Sequence, residues 1–142
     1  MNMEKLIQLL HEEQYSCVIR HKRKIHVFEQ RGVADLYNLL KQTPWILQGA
    51  HIADKVVGKA AAALMILGQV KQLYADVISE PAWEILQEAA IKVEFRLKVP
   101  LIKNRTQTGW CPLETLCKEK ATAQECFISI QHFINTQSKI AT

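Results

Sequence analysis

Apolar residues recur along this chain with two periods, and the points where one period gives way to the other mark its elements. Residues 3 to 14, MEKLIQLLHEEQ, set Leu6, Ile7, Leu9 and Leu10 on one side of a 3.6-residue period, which predicts a short amphipathic helix. YSCVIR and KIHVFE follow, each β-branched or alternating, and the polar turn His21 to Arg23 between them predicts a β-hairpin. VADLYNLLKQ returns to helical spacing through Leu36, Leu39 and Leu40. Thr43-Pro44 stops that helix, because proline disfavours the helical region for the residue before it.

Residues 53 to 68, ADKVVGKAAAALMILG, read as one small-residue helix with Asp54 as its N-cap and Gly68 as a left-handed C-terminal residue. VKQLYADVIS is mostly apolar and predicts a central strand. Ser79 or Glu80 then caps a helix through AWEILQEAA, with Pro81 in its first turn. IKVEFRLKV alternates throughout: Ile91, Val93, Phe95, Leu97 and Val99 face one way, and Lys92, Glu94, Arg96 and Lys98 the other. That pattern predicts a strand with one buried and one wet face. PLIKNRTQTGW reads as a loop, and PLETLCKE as a short helix beginning at Cys111-Pro112. TAQECFISIQHFINTQSK closes the chain as an amphipathic helix carrying Phe127, Ile130, Phe133 and Ile134. This order predicts an α/β layered domain whose mixed sheet begins with an antiparallel hairpin and ends with crossover-linked strands.

Length and composition add little beyond class. A chain of 142 residues, 49% hydrophobic and 23% charged, has the make-up of one ordinary globular domain. Its longest apolar run, Ala60 to Leu67, is far shorter than the roughly 20 residues of a membrane span. The N-terminus lacks a signal-peptide layout, so a cytoplasmic location without membrane contact is expected, with Cys17, Cys111, Cys117 and Cys126 as thiols. The net charge of +4 includes no long basic block, and its densest cluster, Arg20 to Lys24, reads as a solvated turn. Nucleic acid is therefore not an expected partner.

Candidate chemistry gathers near the small-residue segment. On a helix, Lys55 and Lys59 stand one turn apart, with His51 continuing the stripe. They form either a solvated face or one wall of a pocket at a helix N-terminus, where phosphate or carboxylate would be the natural ligand. Gly58-Lys59 is not a phosphate loop, since Ala53 and Ala60 stand where that motif needs glycine and a hydroxyl. Glu80 lies at a strand-to-helix junction, as a pocket carboxylate or a capping one. Cys111, at a helix N-cap, is the best candidate nucleophile, with no base placed beside it by the sequence; a structural thiol is the alternative. The remaining cysteines and the scattered histidines show no zinc spacing, and no metal or cofactor is expected.

GAHIADKVVGKAAA, YADVISEPAWEIL, IKVEF and NRTQTGWCPLETL resemble the successive motifs of domain-of-unknown-function family 1893, a bacterial and archaeal family grouped with the cytidine deaminase-like superfamily. The resemblance implies a deaminase-like three-layer α/β sandwich over residues 1–118 and a helical extension over 119–142. Cytidine deaminases hold zinc with a His or Cys on one helix and a Pro-Cys-x-x-Cys on the next. Here Ala82 stands where the first of those cysteines is expected, and Cys111-Pro112 has the reverse order, so the zinc-ligand motifs are missing. The superfamily geometry implies that two helix N-termini border one pocket, bringing Asp54, Lys55 and Lys59 near Glu80. The function expected from all this is binding of a small anionic or nucleotide-like molecule by Asp54, Lys55, Lys59, Glu80 and Cys111. Two alternatives stand beside it. One is a metal-independent transferase or hydrolase using Cys111, Lys59 and Glu80; the other is an assembly or regulatory protein, a homo-oligomer joined through its C-terminal helix.

Overall fold

A computed structural model describes residues 2–30, 32–103 and 109–141, with side chains through residue 136. Helix α1 (Met3–Glu12) is capped by Asn2, whose side chain accepts from the Lys5 amide at 3.1 Å. Its apolar side buries Leu6 and Leu10. Strands β1 (Cys17–His21) and β2 (Lys24–Phe28) form the expected hairpin, closed by a two-residue loop in which Lys22 is left-handed at φ 57°. Helix α2 (Ala34–Gln42) ends at Thr43, before a single 3-10 turn at Pro44–Ile46.

The segment read as one helix over residues 53 to 68 is a strand followed by a helix. Strand β3 (His51–Val57) contains Asp54 and Lys55, and helix α3 (Lys59–Leu67) begins only after Gly58, so Asp54 caps nothing. Asp54 and Lys55 interrupt the strand's apolar pattern, and the alanines of residues 60–63 follow soon after. Pairing with neighbours on both sides, rather than local preference, makes this segment a strand. Gly68 is not left-handed either: its φ is −78°, and the left-handed residue is Gln69 at φ 65°. Glycine is required at 68 by contact, because a Cβ there would stand 2.7 Å from two carbons of the Leu47 side chain.

Strand β4 (Gln72–Ser79) leads directly into helix α4 (Glu80–Glu88), whose N-cap is Ser79; its hydroxyl oxygen accepts from the Ala82 amide at 3.2 Å. Strand β5 (Lys92–Val99) follows, then helices α5 (Pro112–Lys118) and α6 (Ala123–Ala141). The sheet order is β2-β1-β3-β4-β5, with β1 antiparallel to both neighbours and β3, β4 and β5 mutually parallel. The mixed sheet thus opens on a hairpin and ends in crossovers as expected, with β3 as an additional strand.

Helix α1 covers one face, packing Leu6 and Leu10 on Val18 and Ala53. The other face carries the main core, where Ile19, Ile52 and Leu73 meet Leu64 of α3, Leu86 of α4 and Ile130 of α6. The C-terminal helix, set apart in the sequence from residue 119, packs Cys126 and Ile130 into this core. Strand β5 departs from its expected buried face: Phe95 is 38% and Leu97 47% exposed on this edge strand of the sheet. Residues 104–108 of the expected loop lie outside the described residues. Among the described residues, no helix is long and apolar enough to cross a membrane.

Candidate functional site

A cleft of about 1320 Å³ opens at the C-terminal end of β3, between α2, the first turn of α3 and the start of α5. It exceeds the roughly 300–1,000 Å³ of common small-molecule sites. Cys17, Asp35, Asp54, Lys55, Gly58 and Cys111 are among the residues lining it. The cleft lies where the antiparallel part of the sheet meets the parallel part, since Cys17 of β1 is the cross-strand partner of Asp54 of β3.

Asp54 is its most perturbed acid. The residue is only 8% exposed, and burial, which penalises the charged form, pushes its carboxyl up to about 7. The Val56 amide donates to Oδ1 at 3.4 Å, and the Lys55 amide and Cys17 thiol also favour the carboxylate, so burial is only partly offset. The Cys17 thiol is itself held well above its usual range, by burial first and by Asp54 second, and stays protonated as a donor. Burial also raises Asp35, in the first turn of α2. The cleft therefore presents at Asp54 a carboxyl able to donate or accept a hydrogen bond near neutral pH, with Asp35 shifted in the same direction.

In the wall of the cleft, Glu114 of α5 joins three elements. One of its carboxylate oxygens accepts from the Ser79 hydroxyl at 2.8 Å, and the other accepts from the Lys59 amide at 3.3 Å. Glu114 is 2% exposed; burial raises its pKa, while Ser79, the Lys59 amide and the Lys59 charge oppose that rise. Gly58 makes room for it, because a Cβ at 58 would overlap the second oxygen. The Lys59 ammonium donates to the Lys118 carbonyl at 3.2 Å and to the Lys120 carbonyl, satisfying the C-terminal end of α5.

Of the residues singled out in the sequence, Asp54, Lys55 and Cys111 line the cleft. Lys55 and Lys59 share no face, because one belongs to a strand and the other to a helix. Lys59 turns its ammonium to α5 instead of the cleft. Glu80 is exposed and borders a separate shallow depression with Pro81, Glu84 and Lys118. The carboxylate that links the α3 and α4 junctions is Glu114. His51 pairs with Gln72, Nδ1 to Oε1 at 3.0 Å, and continues no lysine stripe. Cys111 is the N-cap of α5 and half-buried, and its side chain makes no capping bond. The sequence reading missed Asp35 and Glu114, which look like ordinary first-turn acids of their helices, and Cys17, which looks like a core residue. Among the described residues, no group of three or more His, Cys, Asp and Glu side chains is placed to hold a metal ion.

A family model described as TM1506, domain of unknown function (DUF1893), matches residues 5–134. Among solved structures, the crystal structure of a DUF1893 family protein (TM1506) from Thermotoga maritima is similar, with a TM-score of 0.84 and 24% identity. The likeness covers 92% of this chain and 88% of that one; at this identity it speaks for the fold. Comparison with curated proteins gives no match.

Proposed function

The chain belongs to the DUF1893 family, and from that premise we propose that it is a ligand-binding domain whose cleft takes a small nucleoside-like or nucleotide-like molecule. The observation that carries this reading is a carboxyl, Asp54, buried in the wall of a roomy cleft and poised between its charged and neutral forms. Asp54 and Asp35 meet hydroxyl or amino groups of the ligand, and Lys55 meets an anionic end. The acidic lining shifts the weight of recognition from the anion toward hydrogen-bond donors on the ligand. A distant relation to cytidine deaminase-like folds belongs to the same reading. In that superfamily two helix N-termini border the pocket; here the first turn of α3 borders the cleft, and the Ser79 cap of α4 bonds the same Glu114.

Calorimetric titration with a panel of nucleosides and nucleotides tests the proposal. At least one should bind with a dissociation constant on the order of micromolar, and Asp54→Asn should weaken it by at least about tenfold. Silence across the panel, or unchanged affinity in Asp54→Asn, would remove the basis for the reading. One observation favours a second reading, a metal-independent transferase or hydrolase: Cys111 lines the same cleft as Asp54. A nucleophilic Cys111 will alkylate faster than a free model thiol at neutral pH, and ligand will protect it. A rate no faster than the model thiol sinks this second reading and leaves the first intact.

A further inference from the structure

The end of the sheet opposite the cleft gathers positive charge of which the sequence shows only one part, Arg20 to Lys24. At that end β1 finishes at His21 and β2 begins at Lys24, while β3, β4 and β5 begin at His51, Gln72 and Lys92. The register joins them in a row, with His21 opposite Lys24, Arg20 opposite His51, His51 opposite Gln72, and Gln72 opposite Lys92. Lys71 falls into the same row, its amide donating to the Ala50 carbonyl at 2.9 Å. Residues 20–24, 48–51, 69–72 and 89–92, which make up this end, hold six Lys and Arg, two His and no Asp or Glu. Glu88 and Glu94 flank only the last of these stretches. Six positive charges exceed the net +4 of the whole chain, so the rest of the molecule is net acidic.

No acid in the fold neutralises the row. Among the described residues the only close ion pair joins His11 to Asp76. Arg20 donates from Nη1 to the Lys22 carbonyl at 3.1 Å, and its Nε is buried without a partner. Burial first, then the charges of Arg20 and Lys71, lower the pKa of His51 against its bond to Gln72. Helices α3 and α4 also end here, and their partial negative charge accounts for Lys71 and Lys92 but not for the four cations of the hairpin. Trp45, in the 3-10 turn that leads into β3, is 57% exposed. Among the described large apolar side chains that are exposed, it alone belongs to the connections at this end.

We propose that this end of the sheet binds single-stranded nucleic acid, with the basic row along the phosphates and Trp45 stacked on a base. At about 4.8 Å between neighbouring strands the row runs for roughly 19 Å, a line of cations suited to a linear polyanion rather than to one small anion. A membrane-binding face of the same charge carries several apolar side chains that enter the headgroup boundary, and this end offers one tryptophan. Stacking on a base requires only one. Binding of this kind tolerates many sequences and weakens steeply with salt. The row is separate from the cleft, and the cleft reading stands or falls without it.

Fluorescence anisotropy of a labelled oligothymidylate of about 20 nucleotides, titrated with the full chain, tests the proposal. At about 50 mM salt the dissociation constant should be on the order of 10 μM. It should weaken roughly fiftyfold by about 200 mM, the dependence expected when about four phosphates are neutralised. Lys22→Glu combined with Lys71→Glu should weaken binding by at least about tenfold. Arg96→Glu combined with Lys98→Glu makes the same change of net charge farther along β5 and should alter it by less than about threefold. Trp45→Leu should cost about tenfold and leave the salt dependence as it was. All these positions are exposed, and far-ultraviolet dichroism of the variants should match the parent. No binding at about 100 μM protein, equal losses in the two charge-matched doubles, or parental affinity in Trp45→Leu overturns the proposal. So does a preference for a duplex of the same length, or binding to phosphatidylserine vesicles with the oligonucleotide left free.

Discussion

Replacing Glu114 with alanine will lower the stability of the fold by about 3 kcal/mol, read as a fall of roughly 10 °C in Tm or as an earlier urea midpoint. The loss follows from what the carboxylate touches. It accepts from the Ser79 hydroxyl and the Lys59 amide inside the protein, and an alanine leaves both donors to a buried cavity. It also removes a negative charge that interacts with the Lys59 ammonium, whose hydrogen bonds go to the Lys118 and Lys120 carbonyls. Gly58→Ala attacks the same arrangement from the other side, because its methyl group needs the space of the second Glu114 oxygen. The two substitutions will therefore not add: in a double-mutant cycle Gly58→Ala should cost clearly less once Glu114 is alanine. Full additivity would show that glycine at 58 answers to something other than Glu114.

The second large effect depends on pH. The folded-state pKa of Asp54 lies near 7 against an ordinary 3.8, so between those values the folded protein holds a proton that the unfolded chain has released. Stability gained from that proton is complete below the lower value and is lost as pH rises through the upper one. The half-buried Asp35 and the buried Glu114, raised in the same direction, add to the slope. Asp54→Asn keeps an acceptor for the Val56 amide and removes the charge. It should match the parent at acid pH and exceed it above pH 7 by up to roughly 4 kcal/mol, the full shift at 1.36 kcal/mol per unit. Urea midpoints of parent and variant across the window measure the difference directly. Parallel curves would mean that Asp54 titrates like a surface carboxyl.

Elements governed by their own local pattern were legible in the sequence: α1 from its leucine spacing, the hairpin from its polar turn, α4 from Ser79 and Pro81. Strand β3 was not, because its identity comes from β1 and β4 on either side, and neither its alanine nor its buried aspartate favours a strand. That one error displaced the site. With Asp54 and Lys55 placed on a helix, Lys59 seemed to share their face, whereas in the fold it grips α5 from behind the cleft. Strand β5 shows the complementary difficulty: alternation marks a strand with an apolar side, but only the sheet order reveals that it lies at an edge, where Phe95 and Leu97 stay exposed. Cys111 and Asp54, both singled out in the sequence, line the cleft. Asp35 and Glu114 escaped notice because their function depends on partners distant in sequence, Glu114 on Ser79 and Lys59 above all.

The pairing of Cys17 with Asp54 also bears on how the chain becomes functional as it folds. The hairpin that carries Cys17 closes over a two-residue loop, and the parallel strands that follow β3 are linked by their own crossovers, so each half has contacts that form without the other. Asp54 lies on the seam between them, with β1 on one side and β4 on the other. Its raised pKa requires burial from both directions, so neither half, expressed as a fragment, would carry it. A slow proton uptake that trails the appearance of secondary structure during refolding would time the closing of that seam, with the aspartate as its own reporter.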